Sequence, residues 1–211
     1  MNFFANKLIN YWNELFPSPV TELKFNNNFE LLVAVILSAQ CTDKRVNAIT
    51  KNLFKKYNTP EQFASLKQEE LEKQIYSCGF YRNKAKNLIN ASRVIVNEFN
   101  GEIPTTMQDL KRLDGVGQKT AGVVYSVAFG GDAMPVDTHV FRVSNRLKIS
   151  ESKNVKKCEE DLKKFFDKSV WNKVHHQMVL FGRYYCKARS PECEICKLKE
   201  NCSYYKIKQK K

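Results

Sequence analysis

The sequence predicts an all-α fold, and three observations carry that expectation. Apolar residues recur at three- and four-residue spacing along most of the 211 positions. The periodic segments are punctuated by Ser, Thr or Asn caps, prolines and glycines. No stretch alternates apolar and polar residues for long enough to read as a strand ladder. With 43% hydrophobic and 12% aromatic residues, the chain has the material for a packed interior and is not a disordered one.

Phe29 to Leu37 carries apolar residues all around the helix axis, so it reads as a buried helix. Its longest apolar run, Leu31 to Leu37, is far too short to cross a bilayer, and no membrane partner is expected. Val46, Ile49, Leu53 and Phe54 share one face of the next helix. Thr59-Pro-Glu-Gln62 reads as a capping box with proline in the first helical position. A further helix starts in Leu66-Lys-Gln-Glu-Glu-Leu71 and stops at Gly79. Tyr81 to Phe99 follows, with Leu88, Ile89, Val96 and Phe99 on its apolar face. Thr105-Thr-Met-Gln108 reads as a second capping box. Two helices are then joined by Leu113-Asp-Gly-Val-Gly117, and Val140–Leu147, Lys156–Phe166 and Trp171–Arg189 complete the set. The basic end, residues 206–211, is expected to be mobile.

Lys and Arg exceed Asp and Glu to give a net charge of +13. That excess points to a polyanionic partner, because each phosphate neutralised by Lys or Arg releases condensed counterions. A generally lysine-rich surface would give the same number. The first residues show no basic region followed by a long apolar stretch, so no secretory signal is read. Seven cysteines in such a chain are expected to be thiols or metal ligands, and the protein is placed in the cytoplasm.

Cys186, Cys193, Cys196 and Cys202 follow the spacing C-x6-C-x2-C-x5-C. Core cysteines follow helix periodicity and these ignore it, so they read as metal ligands. Thiolates suit zinc or an iron–sulfur cluster, and the spacing does not choose; taken alone it favours structural zinc. Cys41, Cys78 and Cys158 lie in apolar or helical contexts and receive no role.

Gly115 and Gly117 allow a tight interhelical turn with positive φ and a close approach of the backbone. The second helix begins at about Gly117, so its unpaired N–H groups can hold a phosphate oxygen. This helix–hairpin–helix pattern grips a nucleic-acid backbone without reading bases. Lys119 falls in the first helical turn. Its local sequence reads first as a phosphate-binding lysine. The alternative is a nucleophile, since a helix N-terminus and partial burial both disfavour the ammonium.

Four motifs in order resemble the endonuclease III family of DNA glycosylases: Leu37-Ser-Ala-Gln-Cys-Thr-Asp43, Leu113-Asp-Gly-Val-Gly-Gln-Lys-Thr-Ala121, Val136-Asp-Thr-His-Val140 and the cysteine cluster. The resemblance runs from about residue 20 to Cys202. It implies the helix–hairpin–helix DNA glycosylase fold in two all-α domains. One is a six-helix barrel over residues 21–131. The other is an iron–sulfur cluster domain over residues 1–20 and 132–211, with the four-cysteine loop at 186–202. A [4Fe–4S] cluster on Cys186, Cys193, Cys196 and Cys202 is implied in place of zinc. Lys119 matches the family's catalytic lysine and Asp137 its catalytic aspartate.

The implied activity is base excision repair of double-stranded DNA carrying damaged bases or abasic sites, by a monomer. A damaged nucleotide is flipped out, an oxidised pyrimidine is removed, and AP lyase chemistry follows. Neutral Lys119 attacks C1′ and forms a Schiff base, and loss of a C2′ proton expels the 3′ phosphate by β-elimination. Asp137 starts a helix and is expected to cap the Val140 N–H, which makes it a fixed counter-charge to the developing positive sugar and not a general base. Gln40 and Phe80, in the Gly79-Phe80-Tyr81 loop, match positions that fill the gap left by the flipped base; many relatives carry leucine where Phe80 stands. His139 matches a position lining the DNA site. Gly115, Gly117, Thr120, Lys187 and Arg189 are the remaining expected DNA contacts. Ordinary helix-end packing is the alternative for Gln40, Phe80 and His139. His175 and His176 read as packing residues.

Two departures from the family pattern stand out. Asp114 occupies a position usually held by proline, and Ser190 and Glu192 stand where relatives often have basic residues; both changes are expected to weaken phosphate affinity modestly. An adenine glycosylase is the nearest alternative, but such enzymes typically lack the lysine and add a C-terminal domain. A non-catalytic DNA-binding module would not need both Lys119 and Asp137.

Overall fold

The computed structural model describes residues 3–208, whose regular elements are all helices, with no strand among them. The chain opens with α1 (Phe3–Leu15). Glu22–Gly131 forms a compact unit of its own. It holds α2 (Asn28–Ser38), α3 (Asp43–Lys56), α4 (Pro60–Ser65), α5 (Gln68–Ile75), α6 (Tyr81–Phe99), α7 (Met107–Leu110) and α8 (Gln118–Phe129). α9 (Thr138–Arg146), α10 (Val155–Phe165), α11 (Trp171–Tyr184) and α12 (Ser203–Lys208) follow. With α1 they make the second unit, Met1–Thr21 together with Asp132–Lys211. None of the described helices is long and apolar enough to cross a membrane.

The central unit is built on α2, whose residues Phe29 to Leu37 are all buried. It packs against α3, α6 and α8, while α6 also takes α4 and α5 on its flank. Nine consecutive buried residues need neighbours on every side, which is why this short helix sits inside the unit. Both of its ends are satisfied by polar partners. Asn27 caps the first turn by accepting Glu30 N–H at 2.8 Å. The buried Glu30 carboxylate in turn accepts the Asn26 backbone N–H at 2.6 Å and its side-chain amide at 2.9 Å. At the other end, Lys84 of α6 donates its ammonium to Leu37 O at 2.8 Å and Ala39 O at 2.6 Å. A buried lysine thus satisfies carbonyls that a helix C-terminus leaves open.

In the second unit, α11 lies against α9 and α1, and α10 against α9. Ala5, Leu8, Tyr11 and Trp12 form the buried stripe of α1. Trp12 meets Phe181 of α11 with ring centroids 6.0 Å apart, and Gln177 donates to Asn13 Oδ1 at 2.9 Å. His175 is buried on α11 and His176 stacks edge-on to it at 5.0 Å; burial lowers the His176 pKa.

The Thr59 capping box forms as the sequence predicts, with Gln62 N–H reaching Thr59 and the Gln62 side chain accepting Thr59 N–H. Four boundaries differ. The second cap is Thr106, not Thr105, because Asp109 stands at the right distance to give its N–H to Thr106 Oγ1 at 3.1 Å. α5 ends at Ile75 instead of running to Gly79, as Cys78 N–H turns back to Ile75 O and Phe80 then takes a left-handed backbone. The last long helix ends at Tyr184 instead of Arg189, since Cys186 N–H bonds back to Phe181 O at 2.7 Å and the chain departs into the cysteine loop. Of the basic end, residues 206–208 belong to α12 and are not a mobile tail; the remainder lies outside the described residues.

Candidate functional site

The hairpin of the central unit is set by one glycine. Gly115 has φ +80, and a Cβ there would meet the Asn87 side chain at 3.1 Å. Gly117 differs from the sequence expectation of positive φ: it is extended at φ −83 and caps α8. A Cβ on Gly117 would meet nothing within 4 Å, so the backbone here faces open space. No side chain caps α8, and its first-turn N–H groups remain available to a ligand. Lys119 stands exposed in that first turn, not partly buried, and Thr120 is half-buried beside it. Asp114 is held by Asn90 of α6, whose amide donates to Asp114 Oδ2 at 2.9 Å.

Gln40 and Phe80 occupy two turns that touch. A Cβ on Gly79 would sit 3.4 Å from Gln40 O. Both residues have left-handed backbones, φ +54 and +57, and both side chains are exposed, Phe80 at 64%. A left-handed non-glycine carries strain, so these turns are held by what surrounds them. The Lys84 bond to Ala39 O secures one, and Arg45 Nη1, donating to Ser77 O at 3.2 Å, secures the other.

In the second unit Asp137 is the N-cap of α9 and accepts Val140 N–H at 2.7 Å, as the sequence predicts. One turn further on, Arg142 gathers several groups. Its guanidinium donates to Thr138 O (3.3 Å), Gly182 O (2.7 Å) and Cys186 O (3.0 Å) and lies 3.2 Å from His139 Nδ1. Burial lowers the Arg142 pKa, an effect opposed by the neighbouring Cys186 and Asp137 charges. His139 is therefore engaged within its own unit. Gly182 permits the close packing of α11 here, since a Cβ would lie 2.8 Å from that of His139.

Cys186, Cys193, Cys196 and Cys202 line one pocket, walled by Leu147, Phe181, Tyr185, Tyr204 and Tyr205. Burial pushes up the Cys196 thiol, and the other three cysteines add to the rise; burial also raises Cys186, with Arg146 acting the other way. Among the described residues, no three His, Cys, Asp or Glu are grouped tightly enough to hold a single metal ion. The donor set is nevertheless all sulfur and lines one pocket, the donor chemistry of zinc or an iron–sulfur group.

Arg146 was not singled out from the sequence, yet it organises this loop. It donates to Lys187 O at 2.7 Å, Ala188 O at 3.2 Å and Cys186 Sγ at 3.4 Å, and stacks 3.8 Å from the Tyr204 ring centroid. Its spacing from Arg142, four residues along one helix face, was the available signal. Lys187 pairs with Glu192 at 2.6 Å, and Arg189 is exposed.

Comparison with known proteins places this geometry. Residues 33–168 match the HhH-GPD superfamily of base excision DNA repair proteins. Endonuclease III of Bacillus subtilis is 48% identical over 199 residues, covering 94% of this chain and 91% of that protein. Endonuclease III of Escherichia coli K12 is 44% identical over 188 residues, 89% of each. Among solved structures, a non-covalent endonuclease III–DNA complex superposes with a TM-score of 0.94 at 45% identity, covering 98% of this chain and 97% of that one. A trapped endonuclease III–DNA covalent intermediate gives 0.93 at 46% identity, with 97% of each chain covered. The family match and these identities, each over most of both chains, show that the chain belongs to the endonuclease III family of the HhH-GPD superfamily.

Proposed function

We propose that this chain acts in the cytoplasm, as a monomer, as a bifunctional DNA glycosylase and AP lyase that removes oxidised pyrimidines from duplex DNA. Lys119 is the nucleophile and Asp137 the fixed counter-charge. The observation that carries this reading is Lys119 itself: exposed in the first turn of α8, directly after the Gly115 turn, in a chain 44–48% identical to endonuclease III proteins.

The α8 N-terminus and the open backbone at Gly117 hold a phosphate, with Thr120 beside them. Gln40 and Phe80 fill the gap in the stack left by the flipped nucleotide. As the glycosidic bond breaks, the Asp137 carboxylate, fixed by Val140 N–H, stabilises positive charge on the sugar. Lys119 Nζ attacks C1′ once its proton has been given up; the ring-opened Schiff base then loses a C2′ proton and expels the 3′ phosphate. His139 acts by position, held against Arg142. Lys187 and Arg189 face the DNA backbone.

Cys186, Cys193, Cys196 and Cys202 are proposed to hold a [4Fe–4S] cluster. Its contribution is to close the 186–202 loop; the sulfur-only donors in one pocket suit it, and the family supports it over zinc. Iron and acid-labile sulfide in the purified protein, with a broad visible absorption, are the expected result; zinc without iron would reject the cluster.

Borohydride trapping on duplex DNA containing an abasic site or thymine glycol tests the catalytic reading. A covalent adduct is expected with the native protein and none with Lys119→Ala. Absence of an adduct in the native protein would sink the lyase assignment.

A further inference from the structure

Cys41 and Cys78 take no part in the chemistry above, yet they flank the two turns that carry Gln40 and Phe80. Cys41 follows Gln40 just beyond α2, with its N–H on Ser38 O at 3.1 Å; Cys78 precedes Gly79 beyond α5, with its N–H on Ile75 O at 2.8 Å. The turns are in van der Waals contact at Gly79 and Gln40. Both cysteines belong to the same apolar cluster, Cys78 only 2% exposed and Cys41 half-buried at its margin. The Cys41 thiol lies near enough to add to the rise in the Cys78 pKa. Lys84 and Arg45, each donating to one of the turns, bracket the pair and hold the turns in register.

We propose that Cys41 and Cys78 form a reversible disulfide that ties the Gln40 turn to the Phe80 turn and thereby governs their fit to DNA. The consequence for DNA rests on the reading of Gln40 and Phe80 given above; the bond itself does not. A low-molecular-weight disulfide supplies the oxidant. Cys41, the more accessible thiol, attacks it as the thiolate, releases one small thiol and becomes a mixed disulfide. The Cys78 sulfur, deprotonated, then attacks the Cys41 sulfur and releases the second small thiol. Two protein thiols lose two protons and two electrons, and one small disulfide is reduced to two thiols. Burial pushes the Cys78 thiol up to about 11, so the second step is the slow one and quickens as pH rises. A disulfide brings its sulfurs to about 2.05 Å, well inside the contact distance of two free thiols, so the turns must shift toward each other when it forms.

The test equilibrates the purified protein, kept anaerobic, with glutathione disulfide, blocks the remaining thiols and digests with trypsin without reduction. The expected product joins peptide Phe25–Lys44 to Gln74–Arg82. Cys78→Ser should instead leave glutathione on Cys41 and no link. Recovery of both native peptides unlinked, with Cys41 glutathionylated or alkylated, overturns the disulfide. The oxidised protein is then titrated with duplex DNA bearing an abasic analogue. Affinity is expected to fall several-fold and to return on reduction, with Cys78→Ser unresponsive. A linked protein that binds as the reduced one does overturns the coupling to DNA. If neither form binds, the reading of Gln40 and Phe80 as DNA contacts fails, while the peptide map still decides the disulfide.

Discussion

Asp137 holds two roles in one side chain, and a single substitution separates them. As a cap it accepts Val140 N–H, a task asparagine performs about as well. As a counter-charge it needs the negative carboxylate, which asparagine lacks. Asp137→Asn is therefore expected to unfold within about 0.5 kcal/mol of the native protein, while base release slows on the order of a hundredfold. Denaturant titration and single-turnover kinetics on thymine glycol DNA measure the two effects separately. A second residue-scale prediction concerns Cys78, whose thiol is held at about 11 in the folded protein against an ordinary value of 9.0. The folded state keeps this proton where the unfolded chain has lost it. Stability is thus unaffected by this group below pH 9 and declines as pH rises from 9 toward 11. Urea midpoints should show that decline to be smaller in Cys78→Ser than in the native protein.

At the scale of the element, Lys84 joins two helices by satisfying the C-terminal carbonyls of one from the side of another. Lys84→Met keeps the stem and removes the ammonium, leaving those carbonyls without their donor. A loss of about 3 kcal/mol is expected in urea unfolding, and the Gln40 turn should exchange its amides faster. The same contact shows which features a sequence reveals. The Thr59 box, the Asp137 cap and the Gly115 turn are legible because each is settled within three or four residues. Lys84, Arg142 and Arg146 are not, because the carbonyls they reach on other elements lie 40 or more residues away and no local pattern encodes a contact of that range. Helix ends failed for a related reason. The periodicity persists past Tyr184 to Arg189, while the stop is imposed by the cysteine loop. Open space at Gly117 and the exposure of Lys119 are likewise properties of the folded surface, on which the sequence is silent.

At the scale of the whole molecule, the net charge of +13 makes binding to duplex DNA strongly salt-dependent, each neutralised phosphate adding about 0.9 to the slope of log K against log salt. Glu192 subtracts from that effect by occupying Lys187. Glu192→Gln is expected to tighten binding about 2–5-fold at moderate salt and to steepen the salt dependence; fluorescence anisotropy across a salt series reads both. The division of the chain has a different consequence. The apolar stripe of α1 is buried against α11, and Asn13 is bonded to Gln177, 164 residues later. During synthesis α1 therefore leaves the ribosome well before α11 and waits for its partner until that helix has been made, on the order of ten seconds or more at ordinary elongation rates. The central segment can fold meanwhile, whereas Leu8, Tyr11 and Trp12 stay uncovered. The nascent chain should engage a chaperone through α1, and release it only when α11 emerges.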